Sequence, residues 1–205
     1  MNALLIFSKY PSSGNVKTRL GQDLGMEFAA NLHAAFLQDL IKEHQEKDYL
    51  LLLACPSKDK EAFETLYTQL EFYEVRGSNL GDHMLFAFQD LLPNFEKIAI
   101  IGSDIPTLKT ERIHQAFSLL NNKDLVLGPD TGGGYYLVAM KEPLDIFSGI
   151  TFSQGIDFEQ TTKKIKQQNT HYALLPSETD IDIKEDLTKI KNKLDPDSAT
   201  ARILS

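Results

Sequence analysis

Lys9, Gly14, Lys17 and Arg19 crowd into eleven residues near the start of a 205-residue chain whose net charge is −8. Clustered cations with backbone donors around a glycine suit a phosphate chain, because the cations neutralise its charge and the amides fix its position. The run Gly14-Asn15-Val16-Lys17-Thr18 lacks the Gly-Lys-Ser/Thr spacing of a P-loop and is not a dinucleotide fingerprint. The alternative is a solvated loop with incidental charges. A second candidate is Asp104, in Gly102-Ser103-Asp104-Ile105-Pro106 at the end of an apolar run over 98–101. A carboxylate at the end of a core strand can hold a metal or a phosphate-bearing ligand, or can simply form a turn or cap the next helix. Asp82, Asp130, Asp180 and Asp182 also fall at loops or strand ends, so two or more of the five could meet around Mg²⁺ or Mn²⁺. Asp182-Ile183-Lys184-Glu185 equally has the spacing of an Asp-led capping box. The five histidines show no ligand spacing and are assigned to core or surface.

The elements that must position these side chains alternate in type. An apolar strand over 3–8 leads to the cationic loop, and Phe28, Leu32, Phe36 and Leu40 recur every fourth residue in a helix over 25–46. A buried strand over 49–55, a helix with Ala62, Phe63, Leu66, Tyr67 and Leu70 on one face, and a strand over 72–75 follow. Next come a helix striped by Met84, Leu85, Phe88, Leu91 and Leu92, the strand over 97–102, a helix over 110–121 and a strand over 125–127. Gly132-Gly133-Gly134 then feeds another strand, and the glycines either admit backbone close to a ligand or make a tight reversal. A helix over 157–168, a strand over 172–175 and a last helix opening at 180–187 complete the pattern, with a tail from Asp195 expected to fray. Such alternation predicts an α/β fold with a mainly parallel sheet and helices on both faces. A parallel sheet puts strand ends on one edge, so the cationic loop and Asp104 are expected to be neighbours.

A hydrophobic fraction of 42% and a charged fraction of 24% fit one globular domain over residues 1–205. The acidic balance argues against nucleic acid or an anionic membrane as partner. Cys55, the single cysteine, lies in an apolar run and reads as a packed strand residue. The first residues lack the basic flank of a signal peptide and the length of a membrane span, which makes a cytoplasmic location the expectation.

Six stretches in order carry a family resemblance: Phe7-Ser8-Lys9-Tyr10-Pro11, Gly14-Asn15-Val16-Lys17-Thr18-Arg19-Leu20, Asn79-Leu80-Gly81-Asp82-His83-Met84, Gly102-Ser103-Asp104-Ile105-Pro106-Thr107-Leu108, Gly128-Pro129 with Gly133-Gly134-Tyr135-Tyr136-Leu137, and Asp180-Ile181-Asp182 with Glu185-Asp186-Leu187. Through them the chain resembles glycosyltransferase-like proteins related to the phospholactate and molybdenum-cofactor guanylyltransferases. The resemblance implies the nucleotide-diphospho-sugar transferase (GT-A) fold, a three-layer α/β/α sandwich. It also implies a first loop that binds nucleotide phosphates through Lys9, Gly14, Lys17 and Arg19. The resemblance further implies that Asp104 occupies the position whose relatives hold a divalent metal, Mg²⁺ or Mn²⁺; Asp182 and Asp130 are rivals for the second carboxylate, with Asp182 the expected ligand. Asp82, Gly133, Gly134 and Tyr135 would line the substrate. Two departures stand out: Gly132 replaces an Asp of the family pattern, and Phe152-Ser153-Gln154 replaces Trp-Ser-Thr. The reading favoured at this level is metal-dependent glycosyl transfer from a nucleotide sugar to a small acceptor, with Asp104, Lys17 and Arg19 stabilising the diphosphate leaving group. Nucleotidyl transfer releasing pyrophosphate and non-catalytic nucleotide binding are the alternatives.

Overall fold

The computed structural model describes residues 1–205. In chain order the elements are β1 (Asn2–Phe7), α1 (Thr18–Leu24), α2 (Met26–His44), β2 (Tyr49–Cys55), α3 (Ser57–Leu66), β3 (Glu71–Glu74), α4 (Leu80–Leu91), β4 (Ile98–Gly102), α5 (Thr110–Leu119), β5 (Leu125–Pro129), β6 (Tyr135–Met140), α6 (Asp157–Gln167), β7 (Tyr172–Leu174), α7 (Lys184–Ile190) and α8 (Ala199–Leu204). One sheet of seven strands runs in the order β3-β2-β1-β4-β6-β5-β7. Every pairing is parallel except those of β6, which is antiparallel to both β4 and β5.

Period-two alternation along the strands builds two cores. Leu4, Ile6, Leu51, Leu53, Ala99 and Ile101 face α2, α3 and α5, whereas Ala3, Leu5, Leu52, Ile98 and Ile100 face α4 and α6. These apolar runs are buried on both faces, as a central parallel strand must be, and the result is the expected three-layer α/β/α sandwich. Burial pushes the Cys55 thiol up to about 11, and the side chain packs in the strand as expected.

Of the two readings of the glycine run the structure takes the reversal, the β5–β6 hairpin, whose register shifts between Gly128 and Pro129 and which inserts the antiparallel strand. Two features depart from the sequence reading. The short helix α1 lies inside the loop expected to be irregular. The tail does not fray: α8 packs on α2, where the carboxylate of buried Asp39 accepts hydrogen bonds from Ala199 N at 2.8 Å and Thr200 N at 2.9 Å. Those are orphan amides at the start of a helix, which a distant carboxylate satisfies. Asp39→Ala is expected to cost about 1–3 kcal/mol and to release the C-terminal helix for proteolysis and amide exchange before the sheet unfolds; equal protection of α8 in both proteins would contradict this.

Candidate active site

The chain leaves β1 to build β2 and β3 on one side, then returns to place β4 on the other, which makes the β1/β4 boundary the switch point of the sheet. Phe7 and Gly102 are register partners there, so Ser8-Lys9 and Ser103-Asp104 emerge side by side. The loop after β1 is anchored by Tyr10, whose N–H donates to Asp59 Oδ2 at 3.0 Å and whose ring meets Phe63 edge-on with centroids 5.4 Å apart.

Lys17 ends that loop in the left-handed region, with φ of 46°. This turns its side chain inward, where it is only 4% exposed. Its Nζ lies 2.8 Å from Asp104 Oδ1 and donates to the carbonyl of Ile181. Lys17, expected beside phosphate, thus lines the pocket as a buried cation already partnered by Asp104 and Ile181. Its left-handed backbone costs about 1 kcal/mol or more, offset by the ion pair and hydrogen bond. Arg19, with a side chain 66% exposed, is the solvent-facing cation of the two, and its Nη1 lies 2.6 Å from Asp182 Oδ2. Lys9 and Gly14 also lie at this loop, and Gly14, with φ of 75°, leaves open space around it.

Asp104 keeps one oxygen free. Both Lys17 and the buried imidazole of His33, whose Nδ1 is 3.8 Å away, approach Oδ1. Burial alone would raise the Asp104 carboxyl, but the Lys17 charge, followed by His33, holds it below the usual carboxylate range. His33 bonds Ser8 Oγ through Nε2 at 3.1 Å, its Nδ1 has no hydrogen-bond partner, and burial lowers its pKa. Sequence reading assigned this residue to core or surface. The available signal was its place at helical spacing between Ala29 and Leu37, both buried. Ser8, Lys9, Lys17, Arg19, His33 and Asp104 line a polar pocket of about 420 Å³.

A second cavity of about 590 Å³ joins the first at Arg19, Asp104, Ser153 and Asp182. Asp130, Gly132, Gly134, Tyr135, Asp157 and Asp180 extend it. A Cβ on Gly132 would stand 3.2 Å from Asp130 Oδ1 and 3.6 Å from Asp180 Oδ1, so two other carboxylates flank the position where the family pattern has Asp. Asp130 Oδ1 also accepts from Gly132 N at 2.7 Å and Gly134 N at 2.9 Å. Burial, followed by the Asp130 charge, pushes the Asp180 carboxyl up to about 6. The Tyr135 ring lines this cavity while its hydroxyl is buried without a partner.

Asp82 and Gly133 do not line either space. Asp82 accepts from Ser78 N at 2.9 Å and Ser78 Oγ at 2.7 Å, which ties down the loop before α4. Gly133, with φ of +91°, lets two loops touch, since a Cβ there would lie 2.1 Å from the Gly155 carbonyl oxygen. Asp182 does not cap α7. Asp186 Oδ2 does so, accepting from Asp182 N and Ile183 N at 3.1 Å each, which leaves the Asp182 carboxylate to Arg19. No three carboxylate, imidazole or thiol groups converge on a point.

A mainly parallel sheet with cationic and acidic groups gathered at its switch point is the architecture of the nucleotide-diphospho-sugar transferases. A solved structure described as such a transferase, from Desulfovibrio desulfuricans G20, superposes with a TM-score of 0.90 at 29% identity, covering 99% of this chain and 93% of that one. The 4-diphosphocytidyl-2C-methyl-D-erythritol synthase of Anaerococcus prevotii shares the fold, with a TM-score of 0.59 at 12% identity over 100% of this chain and 99% of the other. Residues 36–154, more than half of the chain, match the family described as uncharacterized protein conserved in bacteria (DUF2064), and the chain belongs to that family. It is also 29% identical over 181 residues to the 2-phospho-L-lactate guanylyltransferase of Methanocaldococcus jannaschii, covering 86% of this chain and 77% of the relative. These likenesses support a nucleotidyltransferase-like, nucleotide-binding transferase. No helix is long and apolar enough to cross a membrane.

The raised Asp180 carboxyl favours the folded state only when protonated: its cost is absent below the ordinary value of 3.8 and fully present above about 6. Asp180→Asn is therefore expected to raise stability by about 1–2 kcal/mol at pH 8 and to leave it unchanged at pH 3.5, as read by denaturant titration at both pH values. Equal shifts at both would show that Asp180 carries no such cost.

Proposed function

We propose that this chain is a nucleotidyltransferase that uses a nucleoside triphosphate, GTP by analogy with the guanylyltransferase relatives, and a small-molecule acceptor. The observation that carries the reading is the junction at Asp104 between a cation-bearing pocket sized for a phosphate chain and a larger cavity able to hold a second substrate. An acceptor oxygen in that cavity bonds to the α-phosphorus as the bond from that phosphorus to the departing pyrophosphate breaks. Pyrophosphate takes the electron pair, and a proton carried by the acceptor is lost to the open cavity.

In this reading Lys9 and Arg19 contact the phosphate oxygens, Arg19 exchanging Asp182 for phosphate when the nucleotide enters. Lys17 positions the loop and keeps Asp104 ionised. The carboxylate oxygens present suit a hard divalent cation such as Mg²⁺ or Mn²⁺, because such ions bind through one or two carboxylates and complete their shell with substrate phosphates. Asp104, through its unpartnered Oδ2, is the first residue that would hold it, with Asp130 and Asp180 on the same cavity wall. The ion would supply charge neutralisation at the phosphates.

Glycosyl transfer remains the second reading, favoured by the description of the D. desulfuricans neighbour. Products separate the two: incubation with Mg²⁺, acceptors and GTP or nucleotide sugars is expected to release pyrophosphate, whereas release of nucleoside diphosphate from a nucleotide sugar would reverse the order. Asp104→Ala is expected to lower turnover by about 100-fold or more; saturable nucleotide binding with no turnover over a broad acceptor panel would reduce the function to binding. Arg19→Gln, at an exposed residue, is expected to raise the KM for nucleotide about tenfold with the melting temperature unchanged; an unaltered KM would remove Arg19 from the phosphate site.

A further inference from the structure

Beyond the two polar spaces lies an apolar one. A slot of about 140 Å³, walled by Phe7, Leu80, Met84, Tyr135 and Phe152, lies beneath the edge of β4 and β6. Tyr135 and Phe152 meet edge-to-face with centroids 6.5 Å apart, and Leu80, 41% exposed, stands at the lip. The slot borders the second cavity through Leu80, Gly102 and Tyr135 with the carboxylates of Asp130 and Asp157 on the shared wall, and meets the phosphate pocket only at Phe7, so its apolar part is the end formed by Phe7, Leu80, Met84 and Phe152. A group inside it therefore belongs to whatever occupies the second cavity. Apolar cavities of about 150 Å³ accept a benzene ring, so the slot is large enough for one ring or a branched chain of similar size.

The charge of the second cavity limits what can carry that group. Its wall holds the carboxylates of Asp104, Asp130, Asp157, Asp180, Asp182 and Asp186. Its two cations are already paired, Arg19 with Asp182 at 2.6 Å and Lys189 with Asp186 at 2.8 Å. A phosphorylated acid, the kind of compound named for the M. jannaschii relative, would bring like charge against this wall with no spare side-chain cation to meet it, and would have to compete with the nucleotide phosphates for Arg19 and for the divalent cation proposed at Asp104.

We infer that the acceptor is an uncharged hydroxyl compound bearing one apolar group of about benzene size, and that this group occupies the slot between Leu80, Met84, Tyr135 and Phe152. The inference rests on the nucleotidyl reading for the word acceptor, but the slot's occupancy is read independently of turnover. In the reaction the hydroxyl O–H bond breaks, the oxygen bonds the α-phosphorus, pyrophosphate leaves and the proton passes to solvent.

The test is calorimetric titration of the full chain with 3-phenylpropane-1,2-diol, glycerol and 2-phospho-L-lactate, alongside GTP with Mg²⁺. The phenyl diol is expected to bind at least about tenfold more tightly than glycerol, from burial of its ring. Leu80→Trp, which fills the slot from its exposed lip, is expected to bring the two diols within about twofold of each other while leaving GTP affinity unchanged. Leu80→Ala, which opens the lip without filling the slot, is expected to retain a preference for the phenyl diol. Equal binding of the two diols by the natural chain, or tighter binding of 2-phospho-L-lactate than of the phenyl diol, would overturn the inference. Weakened GTP binding in Leu80→Trp with the phenyl diol unaffected would do the same, by placing the nucleobase in the slot. Pyrophosphate release without phenyl diol binding would sink the slot assignment and spare nucleotidyl transfer. Phenyl diol binding without pyrophosphate from any acceptor would uphold the slot and sink the transfer.

Discussion

The ion pair between Lys17 and Asp104 is the constraint on which the rest of the site depends. It draws together the loop after β1 and the end of β4, and the same ammonium reaches the Ile181 carbonyl from the far end of the chain. The Ile181 N–H in turn donates to the Asp104 carbonyl at 3.1 Å, so three distant segments are joined at one point. Burial would favour the protonated Asp104 carboxyl, and the Lys17 charge, followed by His33, outweighs it and holds that carboxyl below the usual range. The consequence for function is that Asp104 presents a charged second oxygen to an otherwise open junction between two cavities.

Around that junction three kinds of surface are kept apart by the fold. Cations gather on the loop after β1, carboxylates on the β5–β6 reversal and the segment before α7, and apolar side chains on α4, the turn at Phe152 and the strand ends. They share one edge because β1 and β4 run parallel and β6 enters antiparallel, which brings its starting residues, Tyr135 and Tyr136, to that edge. An asymmetric reactant pair, one highly anionic and one not, suits such a partition.

Much of this was legible in the residues. Strand and helix periods differ, so the alternation of elements and the delivery of Asp104 to a strand end could be read directly, and the parallel sheet then placed the cationic loop beside it. The antiparallel strand was hidden because a glycine run serves reversal and ligand approach equally. Gly133 was misplaced for the same reason: a missing Cβ tells that something comes close, but not that the neighbour is the Gly155 carbonyl. Seven-residue α1 starts at a left-handed lysine and carries too short a pattern to register. His33 occupies a helical core position, and only tertiary packing sets it beside Asp104. The preference between two transfer chemistries lay beyond the residues altogether, since both need phosphate contacts and a carboxylate at the same strand end.

The dependence on Ile181 also divides the chain by role. The seven strands are complete at Leu174. The carbonyl acceptor of Lys17, the backbone donor to Asp104 and the resting carboxylate of Arg19 all come from the next few residues, at Ile181 and Asp182. Scaffold and site thus draw on separate stretches of sequence, so a chain cut after β7 would keep every strand of the sheet and lose the contacts that fix all three side chains.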